Sequence, residues 1–567
     1  VPLFWTGQGL LVIAAAAVVL ARSQSPIARS TAVIAYSVGQ WLNRVAYAPV
    51  RLEFSDELQH QRSAVEILQT GHLFPVNYSL PVSSVYPGLE SIAVGLVRLT
   101  GLPLHQAALL TAGVGHVLGA AALLVLLRTL TPDSRAAALA ALVYLVGPYA
   151  VFSTMFAYQT LAIPIAILVV GQTLRLGRTQ RRARRLVLIT LLSGLVVVTH
   201  HLTGFATLAA LACLSIAQAL YRASRSSAPW TAAATVVHAG LLGAWTLTVA
   251  HSVVGYLSRP LQELVSGVAT EERGTGGAPG AGQPVIERAF TYGAILIPLV
   301  GLSVAIFIAW PRAQRFMATL SATAVALQLL VIVIRLVASE GTELAGRAYA
   351  FTALLTAAAT AVVLTGAQDG RLSSSGRHHV RRRPSALHGA RTAGCIALLI
   401  LTVGGVTAGW PPRYERLPTY QVAGYESAMD RHTIETAAWI EDSFEPGNRF
   451  AADFGNVTAV GTLGNQFPIR GSYAALFTDP NSAAAGDFVR EYEIQYLIVD
   501  NRLTRQLPPP DRGTWFNFDP LAGTYTRPIP AAALTALDQV QGVQRLFDDG
   551  TIRVYDLRGS VYATGGP

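Results

Sequence analysis

A short polar run, Phe54-Ser55-Asp56-Glu57-Leu58-Gln59-His60, follows directly on an apolar stretch. Carboxylates are costly inside a bilayer, so acids at its surface, beside a spanning segment, mark places where chemistry happens. A carboxylate so placed can act as a general base on a hydroxyl. The competing use of Asp56 and Glu57 is structural, in a solvated loop or a helix cap. His60 lies one helical turn further along and reads as a contact for the same reactants. More polar groups stand at the ends of later apolar runs. Tyr158 and Gln159 read as reactant contacts or as an interfacial anchor. His200 and His201 read as hydrogen-bonding groups for a phosphate or an acceptor, or as satisfied interfacial histidines. Adjacent side chains diverge by about 100° on a helix, so the two do not easily share one metal ion. Arg347 offers a guanidinium that fits phosphate oxygens bidentately. Its alternative is an ion pair with Glu343, at a helical spacing of four, and Glu343 itself also reads as a reactant contact.

The elements that must position these groups follow from composition. Of 567 residues, 52% are hydrophobic and 13% charged, and the mean hydropathy is +0.42. Soluble domains carry about 25% charged residues, so the chain reads as a polytopic membrane protein. All 42 basic residues are arginine, which, with the abundance of Ala, Gly, Val and Leu, suggests a GC-rich, actinobacterial genome. The net charge of +10 does not imply nucleic acid, because much of the arginine sits in short loops between apolar runs. Cys213 and Cys395 both fall in apolar runs, which argues against a disulfide framework and for core packing. The first apolar run lacks a basic leader, so no cleavable signal peptide is expected.

Apolar runs of about 17–25 residues mark spans. Twelve are expected, at roughly 3–21, 31–50, 105–128, 135–153, 159–176, 186–201, 204–221, 231–256, 289–310, 316–337, 347–366 and 393–410. Leu89–Leu99 is too short to span and reads as an amphipathic interfacial helix. The arginine-rich stretches 180–185, 222–225, 311–315 and 370–391 agree on one alternating topology in which all four are cytoplasmic. That topology places 51–104, 154–158, 257–288, 338–346 and everything after 411 outside. It also puts the N-terminus outside, which expects either an upstream helix or a first segment that does not span. The Gly-rich stretch 270–283 reads as a flexible external loop and lacks the Lys-Ser/Thr of a phosphate-binding loop.

Beyond Trp410 no spanning run remains. Strand-like runs at 449–453 and 496–500 alternate with helical stretches such as 430–443. The expected architecture is an α-helical membrane domain, 1–410, followed by an extracytoplasmic α/β domain, 411–567. Asp453 and Asp500 end candidate strands, where carboxylates of α/β domains can be functional. Trp515, Phe516 and Phe518 read as core or as stacking platforms. His116, inside a span among small residues, reads as a helix–helix hydrogen bond.

The acidic run continues as Val65-Glu66-Ile67-Leu68-Gln69-Thr70-Gly71-His72-Leu73-Phe74-Pro75 and reaches Tyr86-Pro87-Gly88-Leu89-Glu90. Apolar positions recur at helical spacing from Leu58 to Leu68 and stop at Gly71. This pattern resembles the first external loop of the glycosyltransferase C superfamily, which includes protein O-mannosyltransferases and the aminoarabinose transferases of lipid A. In those families an Asp-Glu, or a lone Asp, precedes a juxtamembrane helix that ends in a Gly-containing turn. The resemblance implies Asp56 as general base, with Glu57 beside it. It also implies a late-loop arginine, here Arg347, on a lipid-linked phosphate, together with His200 or His201. The expectation is an inverting transferase that moves a sugar from a polyprenyl-phosphate donor to an extracytoplasmic glycan, lipid or protein. No particular cofactor is implied, and a divalent metal is left open. Two other readings stay open. A transporter or flippase of lipid-linked glycans would show broken helices with polar residues near the midplane. A non-catalytic envelope assembly protein would use its external domain for binding alone.

Overall fold

The computed structural model describes residues 2–177, 179–220, 226–255, 284–309, 315–337, 341–368, 384–409, 420–424, 429–471, 474–509, 513–517 and 519–564. The Gly-rich stretch 270–283, the arginine run 222–225, most of 311–315 and 370–391, and Phe518 lie outside the described residues. In chain order the helices up to residue 408 are α1 Pro2–Leu20, α2 Pro26–Tyr47, α3 Ser55–Thr70, α4 Gly88–Thr100, α5 Leu104–Leu130, α6 Ser134–Leu145, α7 Tyr158–Leu176, α8 Arg182–Thr199, α9 His201–Leu220, α10 Ala228–Thr248, α11 Val285–Ala309, α12 Arg315–Val337, α13 Gly341–Gln368 and α14 Pro384–Ala408. The chain forms two compact units. One holds residues 1–49, 85–92 and 106–410, and the other holds 50–84, 93–105 and 411–567.

The first unit is helical. Among the described residues, Leu3–Leu20, Leu104–Leu130, Tyr158–Leu176, His201–Leu220, Val285–Phe307 and Ala345–Thr365 are long and apolar enough to cross a membrane. Ser134–Leu145, Thr319–Val333 and Thr392–Ala408 are shorter apolar helices. The protein is therefore a multi-pass membrane protein. Expected spans on α2, α8 and α10 are also helical, over 22, 18 and 21 residues. In α2 the polar residues turn inward. Ser37, Gln40 and Arg44 are buried. Gln40 Nε2 donates to Leu145 O at 2.9 Å, and Gln40 Oε1 pairs with His116 Nε2 at 3.2 Å. This is the helix–helix hydrogen bond expected of His116.

Small residues let these helices approach closely. Trp41 Nε1 donates to Leu109 O at 2.9 Å, and its ring fills the space that a side chain at Gly113 would need. On α14, Gly404 and Gly405 lie against the carbonyls of Phe290 and Val146, so a Cβ at either position would collide with backbone. Helix starts follow the ordinary rules. Ser25 accepts from Ala28 N with Pro26 at the first position, and Asp133 accepts from Arg135 N. Cys213 is exposed on α9 and Cys395 is half-buried, so core packing does not describe Cys213.

The second unit is built on a five-stranded sheet of order β2-β1-β3-β5-β4, with β1 Arg449–Ala451, β2 Phe467–Pro468, β3 Tyr496–Asp500, β4 Gln544–Asp548 and β5 Ile552–Asp556. Strand β1 is parallel to both β2 and β3, whereas β5 is antiparallel to β3 and β4. Every residue of β3 is buried, because both faces of this central strand are covered. Tyr496 and Ile498 enter a cluster with Ile440, Phe450, Val457 and Val554. Leu497 and Val499 enter the opposite cluster with Phe477, Trp515 and Phe516. This period of two is the pleat itself, and each buried aliphatic side chain contributes about 1.5–3 kcal/mol. Trp515 and Phe516 are core, at 0% exposure. The longer helices that follow are α15 Arg431–Ser443, α16 Phe454–Thr462 and α17 Ala483–Glu491.

Helix α3 belongs to this second unit. It stops at Gly71, whose φ of 74° is left-handed and suits glycine. Arg62 donates to Glu66 at 2.7 Å and to Glu441 at 2.6 Å, and Asn465 donates to Glu66 at 2.9 Å. Gly461 of α16 lies against Ser79, with no room for a side chain. These contacts join the loop after α2 to residues almost four hundred positions later in the same unit.

Candidate active site

The two leading carboxylates open α3. Phe54 precedes the helix, so Ser55, Asp56 and Glu57 occupy its first three positions. Glu57 is fully buried, and its Oε2 accepts from Phe54 N at 3.4 Å. It therefore serves the helix end, satisfying a backbone donor that no intrahelical carbonyl can reach. Asp56 points about 100° away and remains half-exposed. The helix N-terminus favours a negative charge at both positions. His60 lies four residues after Asp56, on the same face, and is 3% exposed. Arg62 is occupied by Glu66 and Glu441. Arg51 pairs with Glu53 at 3.6 Å and donates to Met429 O.

In the first unit the structure gathers the expected histidines with an aromatic residue on either side. His200 caps α8 in extended backbone, with φ −158° and ψ 121°, and His201 starts α9. The break turns the two rings onto each other at 4.8 Å. Tyr158, at the start of α7, stacks on His200 at 5.3 Å and 24°. Tyr86 lies against His201 at 5.2 Å. His200 Nδ1 and Thr203 Oγ1 share a hydrogen bond of 2.7 Å. Both histidines are buried, at 1% and 4% exposure. Arg347, half-buried on α13, is close enough for its charge to act on His201. Gln159 follows Tyr158 and is 2% exposed, and neither its oxygen nor its nitrogen has a partner among the described residues. Glu343 sits in the first turn of α13, and its side chain lies outside the described residues.

Tyr86 was not singled out from the sequence as a site residue, although its neighbours Pro87 and Gly88 were visible. Gly88 is the reason it arrives. A Cβ there would lie 2.5 Å from Thr199 Oγ1 and 3.0 Å from Thr199 Cα, so only glycine lets this segment pack on the end of α8. Trp245 Nε1 donates to Val85 O at 3.2 Å and ties the segment down from α10. Thus Tyr86, Tyr158, His200, His201 and Arg347 come together in one unit. Asp56, Glu57 and His60 come together in the other.

The second unit holds a separate charged group at the carboxyl ends of the parallel strands. Asp453 is not the end of a strand, as its sequence suggests. It caps α16, accepting from Gly455 N at 3.0 Å and Asn456 N at 3.3 Å. Asp500 ends β3. Asn456 Nδ2 lies 2.6 Å from Asp453 and 3.4 Å from Asp500, so one amide serves both carboxylates. Asp500 also accepts from Arg502 and from the Tyr420 hydroxyl, at 2.8 Å and 3.2 Å. Arg502 reaches on to Asp430 and lies 4.1 Å from the Tyr420 ring. Burial, then the charge of Asp500, pushes Asp453 up to about 6. Burial lowers the affinity of Arg502 for its proton, but its bonds to Asp500 overcome that and raise it. Burial also raises Tyr420, and Asp500 raises it further. None of these side chains has a buried polar atom without a partner among the described residues, so the group reads as structural. Among the described residues no three His, Cys, Asp or Glu side chains are placed to hold a metal ion.

No family model matches the chain, and no curated protein matches it. Solved structures do. The archaeal oligosaccharyltransferase AglB from Archaeoglobus fulgidus, in complex with an inhibitory peptide and a dolichol-phosphate, aligns over 84% of this chain and 69% of its own. The TM-score is 0.53 and the identity 11%. The arabinofuranosyltransferase AftD from Mycobacteria aligns over 93% of this chain and 39% of its own, with a TM-score of 0.50 and 16% identity. The chain therefore shares its fold with these two transferases.

Proposed function

We propose that this protein is a membrane glycosyltransferase. It moves a sugar from a polyprenyl-phosphate donor to an acceptor hydroxyl of a cell-envelope glycan, lipid or protein, outside the cytoplasm. One observation carries this reading. The buried pair His200–His201 is wedged between Tyr158 and Tyr86, with Arg347 in electrostatic reach, in a fold whose solved relative AglB holds dolichol-phosphate. A cation and two ring nitrogens at helix ends suit a phosphate.

In this proposal the donor phosphate lies at Arg347, with His200 or His201 hydrogen-bonded to it. Asp56 removes the proton of the acceptor hydroxyl, which attacks the anomeric carbon. The bond from that carbon to the phosphate oxygen breaks, and the lipid phosphate leaves with its new charge held by Arg347. A single displacement inverts the anomeric centre. Glu57 holds the start of α3 and thereby the direction of Asp56. The proposal includes the twelve spans and the external placement of residues 411–567. The test is turnover of a defined polyprenyl-phosphate sugar by the purified protein in nanodiscs. Release of the lipid phosphate together with a glycosylated acceptor is expected. Binding of the lipid with no sugar transferred to any of a panel of envelope acceptors would overturn it.

A further inference from the structure

The first unit has a small, partly open cavity between α5, α6, α7 and the turn after α6. Gly115, His116, Tyr144, Tyr149, Thr160 and Pro164 are among its walls. Its volume is about 20 Å³. A single water needs roughly 10–15 Å³ on this measure, so the space suits one water.

Two independent features of the wall call for such a molecule. Tyr144 and Tyr149 are 6% and 3% exposed, with ring centroids 6.2 Å apart, and neither hydroxyl has a partner among the described residues. Leaving a buried hydroxyl unbonded is strongly disfavoured. The second feature is in α7. Pro164 has no N–H, so the carbonyl of Thr160, four residues earlier, loses its helical donor. That carbonyl presses on α5 at Gly115, where a Cβ would lie 2.7 Å from it. Membrane helices tolerate proline where ordered water or a neighbour satisfies the freed backbone group. His116 does not supply it through Nε2, which is bonded to Gln40.

We propose that this cavity is a water-binding site. Its water accepts from the hydroxyls of Tyr144 and Tyr149 and donates to the freed Thr160 carbonyl, making the proline break of α7 a hydrated hinge. The hinge lies six residues below Tyr158, the residue stacked on His200.

X-ray radiolytic footprinting of the full chain in nanodiscs tests this, because radicals form from water held beside a side chain. Tyr36 is the internal control, being 2% exposed and bonded to Gln40. Tyr144 and Tyr149 are expected to be labelled several-fold faster than Tyr36. Equal rates would overturn the proposal. Thermal melting of Tyr144→Phe, Tyr149→Phe and the double variant is a second readout. With a shared water each single change lowers the melting temperature, and the double change lowers it by less than the sum. Melting that is unchanged or raised in both singles means the hydroxyls had no partner to lose, and the site is absent.

Discussion

Asp56→Asn keeps the size of the side chain and most of its hydrogen bonding but removes the proton acceptor. If Asp56 is the base, transfer falls by about 10²–10⁴ while melting is unchanged. Glu57→Gln retains a carbonyl oxygen for Phe54 N, so it is expected to cost less than about tenfold. Rates measured with one defined donor and acceptor separate the two. Full activity in Asp56→Asn removes it as base, and a dead Glu57→Gln beside an active Asp56→Asn exchanges their roles. Arg347 carries its own prediction. Arg347→Lys keeps the charge but loses the planar fork, so donor affinity and rate fall, and Arg347→Ala lowers both further. Unchanged affinity and rate in both variants would leave Arg347 to a helix-surface role.

At the scale of elements, the start of α16 is also the meeting point of β1 and β3. Asp453 there is raised to about 6 by burial and by Asp500, against about 3.9 in an unfolded chain. A raised acid binds its proton more tightly when folded. The stability it contributes is fully present below about pH 4 and is lost as pH rises through about 6. Asn caps a helix as well as Asp does. Asp453→Asn is therefore expected to flatten the pH dependence between 4 and 7 and to stabilise the unit at pH 7.5, on the order of 2 kcal/mol. Hydrogen exchange in residues 449–462 and 496–502, corrected for the intrinsic effect of pH, measures this. A variant that is less stable than the parent at pH 7.5 would mean that Arg502 keeps the pair ionised. The same group shows why the strand readings were only partly right. The run 449–453 has strand composition throughout, yet β1 stops at Ala451, because Asp453 finds two backbone donors at a helix start. Local capping outcompetes continuation of the ladder.

For the whole molecule, the fold matches that of AglB over 84% of the chain, and the arginine pattern predicts an orientation. Ser55→Cys is expected to react with an impermeant thiol reagent from outside, and Ser373→Cys, in the basic stretch outside the described residues, only from inside. Labelling of both from one side would sink the topology. The second unit also shows a dependence of early residues on late ones. Arg62 and Glu441, 379 positions apart, bond at 2.6 Å. Truncation before residue 411 therefore leaves Arg62 without one of its two carboxylates and removes the sheet from the unit that contains Asp56.

What the amino-acid order determined by itself was local. Apolar length made the membrane helices, Gly71 ended α3, and a short unbroken apolar run made the doubly covered strand β3, because each signal lies within a few residues of chain. The candidate residues, including Asp56, His200, His201, Tyr158 and Arg347, were named from residue type beside the ends of apolar runs. Only the tertiary structure divided Asp56 from Glu57, because which of two adjacent acids is buried depends on the face that α3 turns inward. Only it brought Tyr86 to His201, through the bare backbone of Gly88 against Thr199. Only it placed residues 50–84 in one unit with the C-terminal sheet. Contacts between segments hundreds of residues apart are set by how whole faces pack, and no short window of sequence carries that information.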